Sequence, residues 1–166
     1  FLLYATKLGK IRSQNNNKDK IIEIKPNIKK INSLKERGKK IKTVLRYHQT
    51  NLGGSIHSDG PQLNNPPNYV IMTCVRNAKK GGLSIITNAK KIFYFMKKKE
   101  PKHLEALRKN FLFERRGFSF NNSNILKKPI FEIKKKLFRF RYLREYIESG
   151  YKIKNKLISE DQLKAM

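Results

Sequence analysis

Thr50-Asn51-Leu52-Gly53-Gly54-Ser55-Ile56-His57-Ser58-Asp59-Gly60-Pro61 is the stretch whose chemistry stands out from the chain. On an extended strand, residues two apart project from the same face, roughly 6.5–7 Å apart along it. His57 and Asp59 can therefore aim a ring nitrogen and a carboxylate oxygen at one point. That supplies two members of a 2-His-1-carboxylate facial triad, the ligand set that leaves three positions of an octahedral Fe(II) open. Alone, His-x-Asp is a weak signal, because a histidine beside an aspartate ahead of a Gly-Pro turn is commonplace. Its neighbours give it weight.

His57-Ser58-Asp59-Gly60 is followed by Asn65-Pro66-Pro67-Asn68-Tyr69-Val70, by Cys74-Val75-Arg76, and by Lys80-Gly81-Gly82-Leu83-Ser84. Further on come Glu114-Arg115-Arg116-Gly117, Lys128-Pro129-Ile130-Phe131 and Arg139-Phe140-Arg141-Tyr142; upstream lie Leu8-Gly9 and Ser13-Gln14. This ordered series resembles the taurine dioxygenase / 2,4-dichlorophenoxyacetate dioxygenase family of Fe(II)- and 2-oxoglutarate-dependent oxygenases. The likeness spans most of the chain apart from its Lys-rich stretch, and the combination is far more specific than any of its pieces.

The resemblance implies a double-stranded β-helix, or jelly roll, with His57 and Asp59 as the first two iron ligands. Ser84 falls where relatives place a hydroxyl that donates to a 2-oxoglutarate carboxylate, a neutral donor that adds no charge near the metal. Asp59 itself matters: halogenating relatives replace this carboxylate with a small residue, so hydroxylation or oxidative cleavage is expected. The family's second histidine and its 2-oxoglutarate-pairing arginine lie well downstream, and neither motif is seen in these 166 residues. His48 and His103 are not expected to stand in as ligands. The chain by itself is therefore expected to hold iron poorly and to be inactive.

The expected reaction is oxidation of a small organic molecule by O₂, coupled to conversion of 2-oxoglutarate into succinate and CO₂. Arg115, Arg116, Arg139 and Arg141 are weighed as partners of an anionic substrate, since guanidinium groups grip carboxylates in a fork. The plainer reading of each is a solvated strand or loop position. Arg141 and Tyr142 are retained as substrate-binding candidates because the matching region of relatives lies near the active-site mouth, and Asn51 because it shortly precedes His57.

Outward from this segment, hydrophobic period sets the elements. Tyr69–Val75 behind Pro66-Pro67 and Leu83–Thr87 behind Gly81-Gly82 read as strands. Ala89, Ile92, Phe93 and Met96 form a helix stripe with Asn88 as N-cap, and Pro101 opens a second helix bearing Leu104, Leu107 and Phe111. Ile130–Ile133 and Leu137–Tyr142 flank Lys134-Lys135-Lys136 as a hairpin, with Phe138, Phe140 and Tyr142 on one face and Arg139 and Arg141 on the other. Strands are expected to dominate, around two central helices. The fold class expected is mostly β with inserted helices (α+β), as an incomplete jelly roll.

Residues 1–166 read as one incomplete oxygenase domain, with residues 25–45 as a Lys-rich loop or insertion. Ile22 and Ile24 suggest a short strand before it. Phe1, Tyr4, Ala5 and Leu8 make a helix stripe closed by Gly9, and Ser159 and Gln162 form a capping box at the other end. Both end helices look cut, so an internal fragment is expected.

Composition bounds the rest. Lys and Arg number 39 against 12 Asp and Glu, a net charge of +27, yet 38% of residues are hydrophobic, which argues against wholesale disorder. Single Cys74 excludes an intramolecular disulfide framework and multi-thiolate zinc sites. No run of 18 apolar residues exists, so no membrane span is expected, and the expected location is the cytoplasm. Two rivals are kept: a basic nucleic-acid-binding protein, and a catalytically degenerate oxygenase fold. The charge is mostly lysine, spread over every third of the chain, and between Gln49 and Ala78 only Arg76 is basic. A nucleic-acid partner is therefore not expected.

Overall fold

The computed structural model describes residues 2–14, 18–38, 54–117, 123–135 and 137–166. Packing divides the chain into two units, Phe1–Ser55 and Ile56–Met166.

In the first unit, α1 (Leu2–Leu8) forms where the apolar stripe places it, although none of its residues is buried. Gly9 ends it at φ +141°, positive but well away from the left-handed helical value. Helix α2 (Ile28–Glu36) lies within residues 25–45, the stretch expected as a Lys-rich loop or insertion. Asn27 caps it, its side-chain oxygen accepting the Lys30 N–H at 3.0 Å, and Ile31 and Leu34, three apart, are buried together. Lysine is a good helix former, so a charge-rich segment needs only such a pair and a cap to fold locally. The strand expected at Ile22 and Ile24 does not form; Ile24 is exposed and Ile22 half-buried. The remainder of the proposed insertion, 39–45, lies outside the described residues.

The second unit holds the core. Helix α3 (Ala89–Lys99) starts at Asn88, whose side chain accepts from the Lys90 and Lys91 N–H groups, and α4 (Pro101–Arg108) starts at Pro101, as expected. Strands β1 (Asn110–Glu114) and β2 (Ile125–Pro129) pair antiparallel, as do β3 (Phe131–Lys134) and β4 (Leu137–Phe140). Helices α5 (Arg144–Ile153) and α6 (Glu160–Ala165) follow, the latter capped by Ser159 as its capping box predicts. Leu104, Leu107, Phe111, Phe113, Ile130, Phe131 and Ile147 form the buried centre, and Phe138 and Phe140 pack against it. Helix α5 lies directly on β1: a Cβ added at Gly150 would strike the Leu112 carbonyl, so only glycine permits this approach.

The architecture is α+β, with two small antiparallel sheets and no barrel among the described residues. Helices, not strands, dominate among the described residues. The runs Tyr69–Val75 and Leu83–Thr87, expected as strands, are irregular, with Val75 and Leu83 each 95% exposed. A β-prone run becomes a strand only where a neighbour takes up its N–H and C=O groups, and no ladder reaches these segments among the described residues. No described helix is long and apolar enough to cross a membrane.

Candidate metal centre

The β3–β4 hairpin reaches the His57 segment through its outgoing arm. The ladder pairs Phe131 with Phe140 and continues one step further, Arg141 N–H donating to the Ile130 carbonyl at 2.9 Å. At the next residue the chain changes partner. Ser58 N–H donates to the Tyr142 carbonyl at 2.8 Å, and Tyr142 N–H donates to Ser58 Oγ at 3.0 Å. The residue between His57 and Asp59 is thus tied on both its main chain and its side chain.

His57 and Asp59 lie on irregular backbone between bends, not within a sheet strand. Their side chains converge: His57 Nε2 lies 3.7 Å from Asp59 Oδ1, with both groups partly open to solvent. Gly60 follows at φ +62°, and Leu63 N–H donates to its carbonyl at 3.0 Å to close a turn. A Cβ at residue 60 would press on Leu63 and Pro67 at 3.0 Å, so the turn is built around glycine.

An imidazole nitrogen and a carboxylate oxygen suit Fe(II) in type, and their convergence fits two positions of a facial set. Among the described residues no group of three or more His, Cys, Asp or Glu could hold a metal ion. His103 pairs with Glu100, Nδ1 to Oε2 at 3.1 Å. His48 lies outside the described residues, and so does Asn51.

The other candidates fall in different settings. Ser84 is exposed, two residues beyond Gly82; Gly81 and Gly82 take φ +79° and +80°. Tyr142 is buried, and its hydroxyl donates to the Met166 carbonyl at 2.9 Å. Arg141 is fully buried, so it presents no open face to a substrate. Its Nη1 donates to the Leu63 carbonyl at 2.6 Å and the Pro61 carbonyl at 3.3 Å, and its Nη2 to the Asn64 carbonyl at 2.9 Å. The structure thus corrects the expectation of a pocket-mouth arginine: Arg141 is spent on the main chain of the turn after Asp59. Burial first, and then Arg139, push its pKa down to about 10, against the opposing pull of Glu132.

Glu132 is the counter-charge. It is buried, with Lys134 at 3.6 Å, Arg139 at 3.7 Å, Lys128 at 3.8 Å and Arg141 at 4.0 Å. Arg115 is buried too, and burial lowers its pKa. Its Nη2 donates to Asn64 Oδ1 at 2.9 Å and its Nε to the Ile125 carbonyl at 3.4 Å. Ser58, Arg115 in this role and Glu132 were not foreseen from the sequence. Alternation along 138–142 does place Arg139 and Arg141 on one face, and it is the face of Glu132, the cross-strand partner of Arg139.

A concavity of about 540 Å³ lies elsewhere, between α3, α4 and the hairpin, lined by Lys90, Lys97, Arg108, Phe93 and Phe138 among others. Lys90 Nζ sits 5.8 Å from the centre of the Phe138 ring there. His57 and Asp59 are not part of its lining.

With this geometry in hand, the chain can be placed by comparison. Residues 10–162 match the family described as taurine catabolism dioxygenase TauD, TfdA family, and the chain belongs to that family. Membership implies an oxygenase of the Fe(II)- and 2-oxoglutarate-dependent kind. A comparison with curated proteins gives no match.

Proposed function

We propose that the protein oxidises a small organic molecule at an Fe(II) centre with 2-oxoglutarate as cosubstrate, and that His57 and Asp59 supply two of the metal's ligands. The observation that carries this reading is the 3.7 Å approach of His57 Nε2 to Asp59 Oδ1, inside the matched residues 10–162. When bound, iron supplies the redox chemistry that couples O₂ and 2-oxoglutarate to oxidation of the substrate, with succinate and CO₂ as the coproducts.

The chain's own residues do the rest. His57 offers an imidazole nitrogen and Asp59 a carboxylate oxygen from the same three-residue segment, so one backbone conformation sets both. Ser58 fixes that conformation through Tyr142, and the Gly60 turn lets the chain leave Asp59 sharply. Ser84 offers a hydroxyl donor for a 2-oxoglutarate carboxylate, and Asn51 and the Tyr142 region are the stretches proposed to border the substrate.

In the protein supplied with Fe(II) and 2-oxoglutarate, His57→Ala and Asp59→Ala each abolish substrate-dependent succinate formation. Undiminished turnover in either variant refutes the ligand assignment.

A further inference from the structure

We infer that Arg141 is a positioning residue for the His57–Asp59 pair, acting by clamping the turn that follows Asp59; this rests on the reading of those two side chains as metal ligands. The clamp is made of main-chain contacts that no sequence motif announces. The turn through Gly60 gathers the carbonyls of Pro61, Leu63 and Asn64 around one buried guanidinium, which donates to all three. Three carbonyls from one turn need a planar fork of several donors; a lysine ammonium is a point charge with shorter lateral reach.

What makes the clamp specific to the site is its register. Arg141 holds residues 61–64, while its neighbour Tyr142 holds Ser58. Only Asp59 and Gly60 lie between these two grips, so one dipeptide at the end of the hairpin brackets the carboxylate ligand on both sides. Arg115, the residue after β1, adds a third hold through Asn64 Oδ1. The orientation of a metal ligand is commonly set by such outer contacts, and losing one costs on the order of 10–100-fold in metal affinity. Glu132, 4.0 Å from Arg141, supplies the negative charge that makes burial of the guanidinium tolerable.

The test compares wild type with Arg141→Gln, Arg141→Lys and His57→Ala, using amide hydrogen exchange and calorimetric titration with Co(II) as the probe. Arg141→Gln is expected to speed exchange at the Ser58 and Leu63 amides by about tenfold or more. Exchange at Phe113 in β1 stays unchanged, and Co(II) affinity falls about tenfold. Arg141→Lys, which keeps the charge but not the fork, retains wild-type exchange at Phe113 yet recovers only part of the Co(II) affinity. If Arg141→Gln does not fold, Arg141→Lys and Arg115→Gln carry the same two readouts.

Faster exchange at every site together, or wild-type Co(II) affinity in the folded variants while His57→Ala abolishes binding, overturns the positioning role and leaves the ligand reading standing. Absence of any His57-dependent Co(II) binding by wild type overturns both.

Discussion

Ser58 and Tyr142, 84 positions apart in the chain, hold each other by two hydrogen bonds: Ser58 N–H to the Tyr142 carbonyl at 2.8 Å, and Tyr142 N–H to Ser58 Oγ at 3.0 Å. Tyr142 belongs to the arm that leaves the β3–β4 hairpin, and Ser58 separates the two proposed metal ligands. Formation of the hairpin therefore bears directly on the geometry of the site. Ser58→Ala removes the acceptor and strands the partly buried Tyr142 N–H. A loss of about 1–3 kcal/mol in unfolding free energy is expected, the usual cost of an orphaned donor. Urea unfolding of wild type and variant measures it; equal midpoints and slopes would mean that the bond contributes nothing.

Gly150 gives a sharper packing test. Helix α5 approaches β1 so closely there that a methyl group would collide with the Leu112 carbonyl, which is backbone and part of the β1–β2 ladder. Elsewhere in a helix, Gly→Ala stabilises by roughly 1 kcal/mol. Gly150→Ala is expected to reverse that sign and cost about 1–3 kcal/mol through overpacking. A variant melting above wild type would show that α5 can move off the strand freely.

Two buried phenols set a pH dependence. Burial is the leading cause that raises the pKa of both Tyr142 and Tyr151 in the folded protein. Below the ordinary tyrosine pKa of about 10, both are neutral in the folded and unfolded chains. Above it the unfolded chain loses its phenolic protons first, so stability drops with rising pH until the folded-state phenols ionise too. Tyr151, whose hydroxyl donates to Gln162 Oε1 at 3.3 Å, isolates the effect. Between about pH 9 and 11 the stability of wild type should fall more steeply than that of Tyr151→Phe. Parallel pH profiles would contradict the assignment.

Much of the second unit was legible in the sequence because its signals are local. Asn88 and Pro101 mark helix starts by capping and by a preset φ, and alternation around Lys134-Lys135-Lys136 marks the hairpin; none of these depends on a distant partner. The segments at Tyr69–Val75 and Leu83–Thr87 share the same β-prone composition, but a strand also needs a neighbour, and composition does not say whether one arrives. Helix α2 failed to stand out for the opposite reason: lysines on its exposed positions hid a stripe only two residues deep, Ile31 and Leu34.

The site divides in the same way. His57 and Asp59 were legible because their spacing and residue types are themselves the chemistry. Arg141 was legible as an important cation but not in its role, because a guanidinium that fits a carboxylate fits main-chain carbonyls equally well. Which it meets depends on the turn at Gly60 and on the arm that ends at Tyr142, some 80 residues apart, a relationship that exists only in the folded chain.

The most direct test of the central claim is paramagnetic broadening of amide signals as Fe(II) is titrated anaerobically into the isotope-labelled protein, since this locates even a weakly held ion. The account predicts that broadening centres on His57, Ser58 and Asp59, reaches Tyr142 through its contact with Ser58, and disappears in Asp59→Ala. Broadening centred on His103 and Glu100 or on Cys74, or a pattern in Asp59→Ala identical to wild type, would contradict it.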